Sequence, residues 1–317
     1  MEFLKQKNGN EPRLILGIGE LLWDLLPSGP KLGGAPANFS VLVARLGNHA
    51  AILSRIGRDE LGRQAMDYLD PIPIDASQVE VDPQHETGRV TVQMEAGEPH
   101  YTIHEPAAWD YMELTDAWIR LAERADAICF GSLAQRNQVS RQTIQTLVAQ
   151  TRANCQRIFD ANLRAPYYSA EILEESLELA TVLKLNQSEL PLMLDLLGLG
   201  AAGSAAKYEL RQGADRLLEE FPALDLIAVT CGAAGSLLVR RNEVHEHPGY
   251  PVKVADTVGS GDAFTAALTH YLLQGAPLAT LNEAGNRWGA WTASQSGAMP
   301  VLNEEDRLHI TSSIENC

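Results

Sequence analysis

Seven short β-rich runs lie along the chain, several of them apolar without alternation: RLILGIG (13–19), AAILSRIG (50–57), DAICFGSL (126–133), CQRIFDAN (155–162), ATVLKLN (180–186), LDLIAVTC (224–231) and GSLLVRR (235–241). Runs of this length without a polar face read as strands buried on both sides, the environment of a parallel sheet covered above and below. Between them the period changes: in SRQTIQTLVAQTRA (140–153) and KYELRQGADRLLEEF (207–221) apolar residues recur at helical spacing. Strand and helix alternating in this way predict an α/β chain with helices on both faces of a mostly parallel sheet.

One segment breaks the rhythm. TGRVTVQMEAGEPHYTIHE (87–105) alternates at period two around AGEP, as a hairpin with one wet face does. Together with the extended LLWDLLPSGPKLGG (21–34) it reads either as a small sheet projecting as a lid or as an ordinary hairpin at an edge. GLGAAGSAA (198–206) reads as a surface loop without chemistry.

Composition narrows the partners. At 317 residues, 45% hydrophobic and 21% charged, the chain can bury a full core. A net charge of −16, from 25 basic against 41 acidic residues with no Lys/Arg run, argues against nucleic acid or an anionic membrane surface. The four cysteines at 129, 155, 231 and 317 lack paired spacing and read as reduced thiols, Cys129 and Cys231 in the core. MEFLKQKNGNEPR carries no apolar signal region, and no stretch approaches the ~18 apolar residues of a membrane span. The expected location is the cytoplasm.

The candidate chemistry starts at DTVGSGDAF (256–264), just ahead of the helical TAALTHYLLQG (265–275). A helix start leaves amide hydrogens unpaired and carries about half a positive charge, so it suits an anion. Gly259 and Gly261 let the backbone approach a ligand, and the amides from Ser260 to Asp262 can converge on one oxyanion. The plainer alternative is that Ser260 or Asp262 merely caps the helix. If the anion is a migrating phosphoryl group, Asp262 sits beside the attacking hydroxyl. A carboxylate of pKa ~3.9 stands ~11 units below an alcohol, or about 15 kcal/mol, so the proton must leave late, as a loose transition state permits. No G-x-x-x-x-G-K-[ST] occurs, and GIGELL (17–22) lacks the third glycine of the dinucleotide fingerprint.

A second helix start appears in LGGAPANFSVLVARLG (32–47), with Gly33 and Gly34 ahead of Pro36 at a first-turn position. Asn38 carries both donor and acceptor for neutral hydroxyls, and Asp24 can accept from two adjacent ones; each alone also fits a cap or turn.

These stretches together resemble the ribokinase-like (pfkB) family of sugar kinases, and within it the fructokinases. The likeness rests on GGAPANFSVLVARLGNHAAILSRIGRDELG (33–62) and DTVGSGDAFTAAL (256–268), with GELLWDLLPSGPKLGGAPAN upstream, and runs from about residue 13 to 302. It implies a three-layer sandwich, one kinase domain over 12–317, with a β lid from about 20–34 and 86–107 inserted in it. It implies ATP and Mg2+ as cofactors, a small sugar as substrate, fructose first, and a homodimer paired through the lid.

Site roles follow from the same resemblance. Asp262 would be the base, Gly259, Ser260 and Gly261 the anion hole, and Asp24, Gly33, Gly34 and Asn38 the sugar site. NQSE matches the family's N-x-x-E, which puts Asn186 and Glu189 near phosphates and magnesium through water; VTCGAAGSLL implicates Thr230, Gly232 and Gly235 in nucleotide binding. Asn286 would border the adenine, and Arg164 would meet either phosphates or an acidic sugar. Arg89 and Trp109 would close over the sugar from the lid. Asp256, with carbonyls around Val258 and Ser294 to Ala298, matches a monovalent-cation site for K+. HEH (245–247) reads as a solvated strand edge rather than a metal site. Rival readings are a kinase of 2-keto-3-deoxygluconate, ribose or a nucleoside, and a non-catalytic sugar or nucleotide sensor of the same fold.

Overall fold

The computed structural model describes residues 12–26, 29–95, 98–200 and 207–315. The AGEP tip at 96–97, most of the small-residue run (201–206) and Cys317 lie outside these residues.

The strands are β1 (Leu14–Ile18), β2 (Leu22–Leu26), β3 (Gly29–Gly33), β4 (His49–Gly57), β5 (Val79–Asp82), β6 (Gly88–Glu95), β7 (Glu98–Ile103), β8 (Ala127–Gly131), β9 (Gln156–Asp160), β10 (Val182–Asn186), β11 (Leu226–Thr230), β12 (Ser236–Arg240) and β13 (Glu243–His247). The helices are α1 (Ala35–Arg45), α2 (Glu60–Leu69), α3 (Asp116–Ala122), α4 (Gln138–Ala149), α5 (Ala170–Leu179), α6 (Glu189–Leu196), α7 (Lys207–Glu220), α8 (Ser260–Leu272), α9 (Leu278–Ala293) and α10 (Glu304–Glu315).

Nine strands form the main sheet in the order β13-β12-β11-β10-β9-β8-β1-β4-β5, and all seven apolar runs are among them. Only the β11–β12 and β12–β13 pairings are antiparallel, so β12 alone runs against the rest. Alternate residues of each strand enter two different cores. Leu16, Ile18, Ile128, Phe130, Phe159, Leu183, Leu185, Ile227 and Val229 pack with side chains of α3 to α7. Ile15, Ala127, Cys129, Ile158, Val182, Leu226 and Ala228 pack with α1, α8, α9 and α10. Burial of both faces is why these strands read as continuous apolar runs. The result is the helix–sheet–helix sandwich expected of the ribokinase-like fold.

Two edge strands escaped the pattern. VEVD in β5 is four residues long, and β13 is polar on its outer face. HEH was expected to be a solvated edge, yet His247 is buried. Its Nε2 lies 2.9 Å from Glu283 Oε2, while Nδ1 accepts from the Gly249 amide at 3.0 Å. The Nε2 proton is therefore the one shared with Glu283.

The period-two hairpin stands apart from the main sheet, in a four-stranded sheet of order β3-β2-β6-β7. Register fixes its faces: Asp24 opposes Lys31 on β3 and Val90 on β6, whereas Trp23 opposes Leu32 and Arg89. Asp24, Lys31 and Val90 thus share the face turned to the main domain's cavity. Trp23 lies on the other face, where it packs with Val41, Ile52 and Ile56.

Candidate active site

Both helix starts singled out in the sequence begin at a glycine with no side-chain cap of its own, although the Ala35 amide is taken by Glu20 and the Ser260 amide reaches the Thr257 carbonyl at 3.3 Å. Gly34 at φ 108° precedes α1, and Gly259 at φ 79° precedes α8; neither helix has a side-chain cap. At Gly259 a Cβ would lie 2.6 Å from Ala298 Cα, so both space and positive φ require glycine there. Ser260 does not cap: its hydroxyl donates to the Thr257 carbonyl at 2.8 Å.

The start of α8 separates two cavities. One, of about 580 Å³, is lined by Glu20, Asp24, Gly34, Asn38, Arg164 and Asp262 among others. The second, of about 540 Å³, is lined by Thr230, Gly232, Gly235, Tyr250, Ser260 and Asn286 among others. Thr257 and Gly261 border both. A group lying against this turn can therefore be reached from either side.

Asp262 is buried and accepts from Asn38 Nδ2 at 2.7 Å through Oδ2. Burial first, then the nearby Asp160, pushes its carboxyl up to about 6, against the pull of Lys184, Asn38 and Arg164. Asn38 thus serves the carboxylate, while its Oδ1 is buried with no partner among the described residues. Gly33 has a supporting place: a Cβ there would come 2.9 Å from Asp24 Oδ2. Burial likewise raises Asp24 to about 6, opposed by Arg164.

Two charged residues of this site were missed. Lys184 faces a position of β10 that reads as core, but parallel register sets it beside Asp160 on β9, and both turn toward α8. Its Nζ lies 3.0 Å from Asp160 Oδ1, and Thr265 donates to Asp160 Oδ2 at 2.8 Å. A Cβ at Gly261 would approach Lys184 Nζ to 2.8 Å, so the ammonium lies directly against the glycine turn. Glu20 is the other. Its Oε1 accepts the Ala35 amide at 3.1 Å, and its buried Oε2 has no partner among the described residues. Burial raises its carboxyl to about 7. The signal for both was a lone charge in an apolar run, which costs free energy unless it is used.

In the second cavity, Thr230, Gly232, Gly235 and Asn286 come together along one wall, as expected from the sequence. Asn286 donates to Ser236 Oγ at 2.7 Å and to the Asn282 carbonyl at 2.8 Å, which leaves its own position rigid. Asn186 and Glu189 line neither cavity. Asn186 Oδ1 accepts from the amides of Ser188 and Glu189, at 2.9 and 3.0 Å. Glu189 is buried, its two oxygens taking the amides of Leu163 and Asn186 at 2.8 Å each. This pair caps a helix and ties it to the 161–164 loop, with both carboxylate oxygens engaged by backbone amides and away from either cavity lining. Among the described residues no cluster of three or more His, Cys, Asp or Glu is placed to hold a metal. Arg164 is exposed at the mouth of the first cavity, after Asn162 at φ 39°.

The expectation for Arg89 and Trp109 is corrected. Arg89 shares its face with Trp23, opposite to Asp24, and pairs with Glu86 at 2.6 Å. Trp109 is fully buried under the Arg136 guanidinium, 4.0 Å from the ring centroid, and packs against Gly88. The alternation of a strand sends one of them away, and core packing takes the other.

Asp256 lines the first cavity beside the glycine turn. Its Oδ1 accepts the Val258 amide at 3.1 Å, and its Oδ2 accepts the Gly297 amide at 3.1 Å and the Lys31 ammonium at 3.2 Å. Burial would raise its carboxyl, but these partners together hold it below the ordinary value.

Over residues 30–305 the chain matches the model of the pfkB family of carbohydrate kinases. A Pyrococcus horikoshii protein named as a sugar kinase is 29% identical over 314 residues, covering 93% of this chain and 94% of the relative. A fructokinase of Klebsiella pneumoniae is 32% identical over 310 residues, covering 92% and 96%. Solved structures agree in fold. The Pyrococcus protein in complex with ATP superposes with a TM-score of 0.78 at 27% identity, over 95% of this chain and 99% of that one. A double mutant of Vibrio cholerae fructokinase, bound to fructose, ADP and potassium ion, superposes with a TM-score of 0.74 at 26% identity, over 92% and 96%.

Proposed function

The chain belongs to the pfkB family of carbohydrate kinases and is a phosphotransferase acting on a sugar hydroxyl, and on that footing we propose that it carries the terminal phosphoryl group of ATP to a primary hydroxyl of a small neutral sugar, fructose first. The observation that carries the reading is the bare start of α8 between two cavities, with Asp262 in one of them.

ATP lies in the cavity of Thr230, Gly232, Gly235 and Asn286, with Mg2+ carried on its phosphates rather than by Glu189. The amides at Gly259 to Asp262 and the Lys184 ammonium meet the charge on the migrating group. Asp262, oriented by Asn38, directs the sugar hydroxyl and takes its proton. Even at about 6 the carboxyl stands some nine units, about 12 kcal/mol, below the alcohol, so proton transfer follows bond formation to phosphorus. Arg164 at the mouth fits a clamp on phosphate oxygens.

The sugar cavity supports a neutral acceptor. Glu20, Asp24, Asp256 and Asp262 line it, while Lys184 and Lys31 are engaged by Asp160 and Asp256. Four carboxyls against the Arg164 guanidinium at the mouth disfavour an acidic sugar, and among the described lining residues no aromatic ring offers a nucleoside a stacking face. The lid sheet ends in β3 and β7, and we place pairing with a second chain along it. Three buried cysteines outside any disulfide, Cys129, Cys155 and Cys231, suit a reducing cytoplasm, and no helix among the described residues is long and apolar enough to cross a membrane. The test is ATP-dependent phosphorylation of a panel containing fructose, ribose, 2-keto-3-deoxygluconate and nucleosides. Turnover of fructose above the rest supports the reading; tight nucleotide binding without turnover of any acceptor points to a sensor.

A further inference from the structure

Lys31 joins two parts of the site that are far apart in sequence. It lies on β3, in the lid sheet, facing Asp24 across the β2–β3 pair. Its ammonium is 3.2 Å from Asp256 Oδ2 and donates to Ser296 Oγ at 3.0 Å. Its methylene stem crosses Gly297, where a Cβ would come 3.3 Å from Lys31 Cδ, at a φ of 83°. Asp256 begins the turn that ends at Gly259, and Gly259 abuts Ala298. The two loops that wall the start of α8 are thus bridged by one carboxylate, and a cation from the lid sits on it.

That arrangement does not fit a potassium ion held by Asp256. An ion of this kind needs free oxygen ligands, but both carboxylate oxygens already accept hydrogen bonds, and an ammonium of the same charge stands against one of them. We propose that the Lys31 ammonium takes the place of a monovalent cation at Asp256, so that the loops around the anion-binding turn are held by the chain itself and turnover is independent of K+. Because the cation belongs to β3, it also pins the lid to the phosphoryl-transfer turn. The inference rests on the kinase reading only for its effect on rate; its effect on stability is independent of it.

The experiment replaces choline chloride with KCl at constant ionic strength, up to about 100 mM so that screening is unchanged, and records sugar phosphorylation and thermal unfolding in parallel. For the natural chain both are expected to be flat, with less than about a twofold change in rate. Lys31→Ala is expected to lose about tenfold or more in choline chloride and to regain most of it in KCl, with a saturable rise in Tm that LiCl does not reproduce. Lys31→Arg, which keeps a cation on the same strand, is expected to stay indifferent to KCl. Activation or stabilisation of the natural chain by KCl overturns the proposal, as does a Lys31→Ala variant whose Tm ignores KCl. If no acceptor in the panel is phosphorylated the kinase reading fails, and the unfolding data still decide between ammonium and ion. Should Lys31→Ala not fold, the KCl titrations of the natural chain and of Lys31→Arg decide.

Discussion

Asn38 donates its side-chain amide to Asp262 across 2.7 Å, although 224 positions separate them in the chain. The bond exists because α1 and α8 start at the same cavity, each from a glycine of positive φ. It engages one carboxylate oxygen, Oδ2, and on the proposed reading the other is the one that meets the sugar hydroxyl.

Removing that bond is expected to disorient the base. Asn38→Ala should lower kcat by about 10- to 100-fold, less than the ~10²–10⁴-fold that a positioned proton acceptor itself contributes, because the carboxylate remains. The bond lowers the Asp262 pKa, so its loss should also shift the acid limb of the kcat profile upward. A fall in kcat with an unmoved acid limb would mean that Asn38 acts on the sugar rather than through Asp262.

The natural enzyme has its own pH signature. A base pushed up to about 6 is protonated as pH falls through that value, so kcat/KM should drop about tenfold per unit below it. Activity that stays flat down to about pH 4.5, near the ordinary carboxylate range, would show that burial does not raise the group that limits turnover.

Glu20 gives a prediction in stability. Burial lifts its carboxyl from 4.5 to about 7 in the fold, so its contribution is fully present below about 4.5 and is lost as pH rises through about 7. At pH 8 the buried carboxylate costs on the order of 3 kcal/mol. Glu20→Gln keeps an oxygen for the Ala35 amide, so urea unfolding should show it more stable than the natural chain at pH 8 and equal at pH 5. The same difference at both pH values would contradict this.

Lys184→Met tests the ammonium against the glycine turn. Asp160 would be left buried without its cation, which costs about 3 kcal/mol or more. With the protein still folded, kcat should fall by ~100-fold as charge on the migrating group loses a partner. Loss of stability with normal kcat would confine Lys184 to the core.

The elements legible from the chain were those whose burial is symmetric. Seven strands with both faces covered show themselves as apolar runs, and the two helix starts announce themselves through Gly34 and Gly259, where a side chain would clash. What was not legible depended on register. Lys184 looks like any interior strand position until the β9–β10 pairing sets it beside Asp160. Arg89 looks like a lid residue until the β2–β6 pairing turns it to the face of Trp23. Glu20 is hidden for another reason: a carboxylate after a strand normally reads as a turn residue, so its lone charge in an apolar run is passed over until burial of Oε2 marks it. Asn186 and Glu189 carried a family signature, yet their oxygens are spent on backbone amides that no spacing rule displays.

The central claim is that the bare start of α8 binds the phosphoryl oxygens while Asp262 receives the proton. Asp262→Asn keeps the shape of the side chain and one acceptor oxygen for Asn38 Nδ2, but replaces the other oxygen by a donor and removes the basicity. Paired measurement of kcat by coupled assay and of ATP affinity by calorimetry should find kcat lower by about 1,000-fold or more, with Kd within about threefold of the natural chain. A variant that binds ATP normally and turns over sugar at a near-normal rate would contradict the account.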